Sequence, residues 1–294
     1  MLLAWMNEAF TQKDIDAPRL RAEQIMAHVL GCDRLRLYMD ADRPASEIER
    51  AALRDLVQRA INQEPVQYLT GEEWFFGLRI AVDKRVLIPR PSTVTIVEAV
   101  LHHCKSRPGF GGKTGEGVLI ADVCTGSGCI ALALAKNLPG ARVVATDISA
   151  DALDVARENA ERLGLSDRIE FIEGDLLGAL ADHPKAGHSK SLDFLVSNPP
   201  YIPDEEWDAV KSNVKDHEPT LALRGGMDGL ALVRPILQSG PALVTPEGLV
   251  LVEVATSRAK EALAIAESAP RVDHADIMQD SDGLDSVIRQ TLGA

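Results

Sequence analysis

Ile120-Ala121-Asp122-Val123-Cys124-Thr125-Gly126-Ser127-Gly128-Cys129-Ile130-Ala131 reads as a buried strand, a tight glycine turn and the first turn of a helix. Gly126 and Gly128 let the backbone turn sharply and approach a ligand, while Ala131 leaves room for the helix to pack on the strand. Gly-x-Gly-x-x-Ala alone is a weak signal, and its setting strengthens it. Asp147 ends the next apolar run, about 20 residues after Gly126, where a carboxylate can bind both hydroxyls of a ribose. Gly174-Asp175 ends the run after that, so a third strand end delivers a carboxylate to the same crevice. These features specify a nucleoside-cofactor site holding Cys124, Thr125, Gly126, Ser127, Gly128, Asp147, Asp175 and Leu176, with Asp122 just before the turn.

Strand and helix patterns alternate on both sides of this stretch. Strands are expected at 118–123, 142–147, 168–173, 192–198 and 248–254, and helices at 130–138, 150–163, 229–243 and 258–268. Near-continuous Val, Ile and Leu in these strands suits a sheet covered on both faces, hence an α/β fold with a doubly wound parallel sheet. Residues 272–278 and 284–289, separated by Asp280-Ser281-Asp282-Gly283, read as a closing pair of strands. Residues 106–117 read as a flexible loop. It contains Gly112-Lys113-Thr114, but a phosphate-binding loop needs glycine where Arg107 stands and follows a strand instead of preceding one.

Upstream, the first ~70 residues carry helical periodicity. Asp16 is expected to cap a helix with Pro18 in its first turn and Gly31 after its end. A second helix starts at Ser46 with Glu49 completing a capping box. Helices this short must pack on one another, giving a small bundle suited either to substrate docking or to dimerisation and stability. Residues 74–82, a turn at Asp83-Lys84 and Val86-Leu87-Ile88 then suggest a β-hairpin. Pro89-Arg90-Pro91 ends it, and Ser92 is placed to cap the next helix. Arg90, held between prolines, fits either a cationic ligand for a carboxylate or a surface turn residue.

The reacting end of the site is Ser197-Asn198-Pro199-Pro200-Tyr201-Ile202, at the close of the fourth strand. Two adjacent prolines cannot continue a ladder and hold the chain stiffly extended, fixing Asn198 relative to Tyr201. Asn offers an acceptor and a donor, the Pro199 and Pro200 carbonyls are acceptors, and Tyr offers a flat face. Such a set accepts both hydrogens of a planar –NH₂. A dinucleotide would need a second glycine turn, and none follows the fourth strand. Asp122 instead offers negative charge to the ammonium of an amino-acid tail, so S-adenosylmethionine and methyl transfer to nitrogen fit better.

The chain has 294 residues, 46% hydrophobic and 26% charged, with a formal net charge of −13. That acidity, with a pI near 5.0, argues against a protein that grips nucleic acid through its phosphates. No secretory signal or run of ~20 apolar residues is visible, and Cys32, Cys104, Cys124 and Cys129 show no CxxC spacing. A cytoplasmic location, no membrane and no metal are expected.

Gln67-Tyr68-Leu69-Thr70-Gly71, Phe76-Gly77-Leu78, Val86-Leu87-Ile88-Pro89-Arg90-Pro91, Thr125-Gly126-Ser127-Gly128, Asp147-Ile148-Ser149, Asn198-Pro199-Pro200-Tyr201-Ile202 and Glu218-Pro219 through Asp228-Gly229-Leu230 occur in this order. In that set the chain resembles the bacterial release-factor glutamine methyltransferases. It departs from them at Ser92, where the family usually has an acidic residue, and at Gly283-Leu284-Asp285-Ser286, where it usually has Gly-Arg-Asp-Arg. The resemblance implies a Rossmann-like class I methyltransferase with a seven-stranded, mostly parallel sheet whose last strand is antiparallel. It implies a helical substrate-docking domain over residues 1–70, a β-hairpin linker over 71–91 and an S-adenosylmethionine-dependent domain over 92–294. It also implies methylation of N5 of the glutamine in the Gly-Gly-Gln motif of class I peptide-chain release factors. A monomer with no direct nucleic-acid partner is expected. Asn198, Pro199 and Tyr201 would act on the amide, with Pro200 and Arg90 also facing substrate. A ribosomal-protein glutamine is the nearest alternative target. Adenine N6 in DNA, or a non-catalytic nucleoside-binding scaffold, is further away.

Overall fold

A computed structural model describes residues 2–107, 109–181, 183–189 and 191–293. Two compact units emerge: residues 1–72 with 210–217, and residues 73–209 with 218–294.

In the first unit, α1 (Leu2–Gln12), α2 (Pro18–Leu30), α3 (Arg34–Met39), α4 (Glu47–Ile61) and α5 (Val66–Thr70) bury Met6, Phe10, Ile25, Leu53 and Val57 in one core. The capping box at Ser46 and Glu49 is present in full, and Gly31 closes α2 in the left-handed conformation with φ 62°. Asp16 does not cap α2. Ala17 takes that position with φ 49°, Pro18 supplies the preset φ of the first turn, and no side chain caps it. The Asp16 carboxylate instead meets Lys211 at 3.1 Å. That lysine precedes α9 (Ser212–Lys215), in the segment that joins this unit.

The second unit opens with a hairpin of β1 (Glu72–Phe75) and β2 (Leu78–Ala81). Its turn is Phe76-Gly77, both at positive φ (47° and 78°), and not Asp83-Lys84. Positive φ at both central residues matches the twist of paired strands, whereas Asp83 is occupied by Arg85, which it accepts at 2.6 Å. Residues 86–88 form no strand. The next helix also begins without a serine cap: a 3₁₀ turn, Pro91–Thr93, leads into α6 (Val94–Ser106), and the Ser92 hydroxyl is committed to Glu253 at 3.0 Å. Within the stretch expected to be a flexible loop, Phe110 is 5% exposed and sets its ring against His103 at 4.6 Å, while Gly112, Lys113 and Thr114 are exposed. Pro108 lies outside the described residues.

From there the alternation holds, through β3 (Leu119–Val123), α7 (Cys129–Asn137), β4 (Arg142–Asp147), α8 (Ala150–Leu163), β5 (Ile169–Glu173), β6 (Leu192–Ser197), α10 (Val233–Ser239), β7 (Val244–Glu253), α11 (Ala259–Glu267), β8 (Val272–Gln279) and β9 (Asp285–Leu292). The helix expected over 229–243 is shorter, because Gly229 sits at φ 72° and Pro241 turns the end into a 3₁₀ segment, Gly240–Ala242. One seven-stranded sheet results, in the order β5-β4-β3-β6-β7-β9-β8. β9 runs antiparallel to both neighbours, and the other central pairs are parallel. The strands are buried because helices cover them; Ile120, Ala121, Leu195, Val196, Val250 and Leu251 are all 0% exposed. The strand order reverses about β3, which leaves a crevice beyond the carboxyl ends of β3, β4 and β6.

Candidate active site

Register sets which residues meet in that crevice. Val123 of β3 pairs with Thr146 of β4 and with Ser197 of β6; Asp147 pairs with Glu173; Ser197 pairs with Val252 of β7. Cys124, Asp147, Asn198 and Glu253 therefore leave the sheet at one level, with Gly174 one residue beyond it. The Ser197 hydroxyl donates to the Val123 carbonyl at 2.6 Å, which ties the two central strand ends together.

A cleft at this edge is lined by Cys124, Thr125, Gly126, Ser127, Asp147, Asp175, Leu176, Asn198 and Pro200. Val86, Leu87, Ile130, Ile148, Leu221 and Leu232 supply apolar wall. Asp122, Gly128, Pro199, Tyr201 and Arg90 do not line it, and each has a different position. Asp122 is 0% exposed. One of its oxygens accepts the Thr125 hydroxyl at 2.7 Å and the Ala131 amide at 3.1 Å; the other, Oδ1, has no hydrogen-bond partner among the described residues. Burial pushes its pKa up to about 7, the charge of Asp147 adding to the effect. Asp122 thus fixes the turn from beneath and holds a buried acceptor in reserve, a fit for a cationic ligand above.

Gly126 and Gly128 are needed for different reasons. Both lie at positive φ, but a Cβ on Gly126 would meet nothing within 4 Å, whereas one on Gly128 would stand 3.2 Å from the Ala156 Cβ and 3.3 Å from Leu132. Gly126 faces the cleft; Gly128 caps α7 and packs against α8. Asp147 accepts the Gly126 amide at 2.9 Å on one oxygen and the Ser149 amide at 3.0 Å on the other. Each oxygen retains a lone pair for a diol. Burial raises its pKa despite these bonds. Apolar wall, glycine floor and oriented carboxylates fit a nucleoside carrying an amino-acid tail.

At the other end of the cleft, Asn198 donates from Nδ2 to the Thr93 hydroxyl at 3.1 Å. Its Oδ1 is buried with no partner among the described residues. Tyr201 donates its hydroxyl to Glu253 at 3.3 Å, and burial, followed by that carboxylate, raises its pKa. The backbone here is clasped by residues 223–229: Ile202 donates to the Leu223 carbonyl and receives the Gly225 amide, each at 2.9 Å. A Cβ on Gly225 would lie 2.7 Å from the Tyr201 Cα, so only glycine permits this approach. Arg90 pairs at 2.5 Å with Glu218, whose side chain is 1% exposed. Glu218 also accepts the Ile88 amide at 3.0 Å. The carboxylate that Arg90 meets is thus the chain's own, and the pair joins the segments carrying Leu87 and Pro219, both of which line the cleft.

Sequence reasoning gave no site role to Thr93 or Glu253, and Glu218 entered only as part of a motif. For Glu253 the signal was available, since it ends an apolar strand as Asp147 does. Among the described residues no group of three His, Cys, Asp or Glu side chains is placed to hold a metal, and no helix is long and apolar enough to cross a membrane.

A seven-stranded sheet of this order with one antiparallel strand, a glycine turn after β3 and an acidic end to β4 define a class I methyltransferase. Residues 120–217 match the family model described as a methyltransferase domain, and residues 1–71 match the PrmC N-terminal domain. A release factor glutamine methyltransferase of Chlorobaculum tepidum is 43% identical over 94% of this chain and 91% of its own length. One of Geobacter sulfurreducens is 36% identical over 99% of this chain and 96% of its own. The fold is also that of a methyltransferase from Pyrococcus furiosus, with a TM-score of 0.51 and 16% identity over 74% of this chain and 91% of that one. At this level of identity across nearly the whole length, the chain belongs to the release factor glutamine methyltransferases, S-adenosylmethionine-dependent enzymes.

Proposed function

We propose that the protein methylates the N5 side-chain nitrogen of the glutamine in the Gly-Gly-Gln motif of class I peptide-chain release factors. The observation that carries this reading is the buried, unpartnered Oδ1 of Asn198 in the cleft. An acceptor desolvated without a partner costs free energy unless a donor arrives, and the –NH₂ of a glutamine amide is such a donor. The family membership supports the same target.

Bound, S-adenosylmethionine supplies an electrophilic sulfonium methyl. Thr125, Gly126, Ser127, Asp147, Asp175 and Leu176 would hold it, with Cys124 at the turn and Asp122 and Gly128 fixing that turn from behind. An amide nitrogen is a weak nucleophile because its lone pair is delocalised into the carbonyl. Asn198 Oδ1 and the Pro199 carbonyl accept its two N–H bonds, which turns the lone pair toward the methyl and stabilises the positive charge that grows on nitrogen. Pro200 walls the amide plane, Tyr201 backs that wall from outside the cleft with its hydroxyl on Glu253, and Arg90 acts through Glu218 on the segments that shape the cleft. Such positioning in a water-poor cleft accelerates transfer without a general base, and the methylated nitrogen then sheds its surplus proton to solvent. Residues 1–70 serve as the docking domain, 71–91 as the linker and 92–294 as the catalytic domain of a cytoplasmic monomer that needs no nucleic acid.

The test is transfer of a tritiated methyl from S-adenosylmethionine to a purified class I release factor, compared with the same factor carrying Gly-Gly-Ala. Label in the first and not in the second supports the reading. Equal label in both refutes it.

A further inference from the structure

Asn159, on α8, is a wholly buried amide, 0% exposed. Methyl transfer makes no direct use of it. Its Oδ1 accepts the Ala81 amide at 2.7 Å. Its Nδ2 donates to the Ala81 carbonyl and to the Ser127 carbonyl, each at 3.0 Å. Both amide hydrogens and one oxygen lone pair are thus in use. The orientation is fixed, since the reverse would set the side-chain oxygen against two carbonyls and the NH₂ against a donor.

The two partners belong to different parts of the cleft. Ser127 lines it within the glycine turn. The peptide that follows Ser127 is held on both sides, its carbonyl by Asn159 and its N–H, that of Gly128, by the Thr125 carbonyl at 2.9 Å. Ala156, against which Gly128 packs, lies one helical turn before Asn159 on the same face of α8. That helix therefore sets both the position and the tilt of the turn. Ala81, for its part, ends β2. Its N–H and its C=O both go to Asn159, so the side-chain amide stands in for the peptide of a neighbouring strand. It closes an edge of a hairpin that has only two strands and little stability of its own. Just beyond Ala81, Arg85, Val86, Leu87 and Pro89 line the cleft, and Glu158, the neighbour of Asn159, draws Arg85 to α8 at 3.6 Å.

We infer that Asn159 is a positioning residue for the cofactor: it ties the glycine turn to the end of the hairpin, so that order in one is felt in the other. The inference rests on the reading of this cleft as the S-adenosylmethionine site and adds the residue that sets two of its walls relative to each other. With that tie cut, the Ser127–Gly128 peptide can tilt, and a turn that the ligand must order binds it less tightly than one already in place.

Asn159→Leu matches the side chain in size and removes all three bonds. Calorimetry with S-adenosylmethionine should give a Kd raised about tenfold, the scale of one lost hydrogen bond whose carbonyl is left unpaired. At saturating cofactor, kcat for methylation of a class I release factor should stay within about threefold, less than the loss of one bond to the reacting amide would give, because Asn198 keeps its bond to Thr93. Hydrogen exchange followed by mass spectrometry reads the tie itself. In the parent, S-adenosylmethionine should slow exchange in the peptide spanning residues 78–82 as well as in the glycine turn. In the variant the slowing at 78–82 should be lost while that at 85–89 remains. A variant with the parent's Kd would overturn the inference, and so would a fall in kcat as large as the rise in Kd, which would mark general damage. A parent in which bound cofactor leaves exchange at 78–82 unchanged would overturn it too, and that result needs no variant that folds. A parent that binds no S-adenosylmethionine would overturn the reading of the cleft, and this inference with it.

Discussion

Asp122→Asn should change how stability depends on pH, by an amount that follows from one carboxyl group. In the folded protein burial pushes the Asp122 pKa from an ordinary 3.8 up to about 7. Between those values the folded state holds a proton that the unfolded chain has released, so stability falls as pH rises through that window. The full shift of about 3 units corresponds to about 4 kcal/mol of folded-state cost above about pH 8, of which less than half is present at about pH 5. Asparagine keeps an oxygen for the Thr125 hydroxyl and the Ala131 amide, removes the charge, and leaves a buried NH₂ that costs about 1–3 kcal/mol at every pH. The variant should therefore gain about 2–3 kcal/mol relative to the parent on going from about pH 5 to about pH 8.5. Urea unfolding of the two cofactor-free proteins at both pH values measures it. A variant-minus-parent difference that does not change with pH would refute the assignment of a raised pKa to Asp122. The corollary is that the parent should bind S-adenosylmethionine more tightly as pH rises through about 7, and the variant should not.

Asn198→Ala should lower kcat by about 100-fold or more while calorimetry finds cofactor affinity nearly unchanged; a large loss of cofactor binding would mean that Asn198 serves the cofactor and not the amide. Asp147→Ala should weaken cofactor binding by about 30-fold, the scale of roughly 2 kcal/mol for hydrogen bonds to a charged group, with little change in kcat at saturation. Arg90→Ala leaves the Glu218 carboxylate, 1% exposed, without its cation and should destabilise the protein by about 3 kcal/mol in denaturant unfolding, an effect that Glu218→Gln in the same background should partly reverse.

The parts of the fold and site that could be read from sequence are those governed by periodicity and short-range chemistry. The glycine turn, the acidic strand ends and the two prolines after β6 each act within a few residues, so their strands and loops fell where the pattern put them. Local signals misled where a neighbour in space competed for the same group. Ser92 looks like a helix cap until Glu253 claims its hydroxyl, and Asp16 looks like one until Ala17 takes the left-handed position before Pro18. Gly128 reads as a ligand-binding glycine in sequence, yet Ala156, which decides its role, comes from α8. Arg90 shows the limit most directly: its partner Glu218 is 128 residues away, and nothing near position 90 names it. The carboxylate ending β7 could have been found by the rule that found Asp147. The bond from Asn198 to Thr93 could not, because Thr93 is 105 residues away and has no motif of its own.

The most direct test of the account is tandem mass spectrometry of the Gly-Gly-Gln peptide from a class I release factor after incubation with this protein and S-adenosylmethionine. The account predicts one methyl group on the side-chain nitrogen of that glutamine, absent when Asn198→Ala replaces the parent. An unmodified glutamine, with cofactor binding confirmed in the same sample, would contradict it.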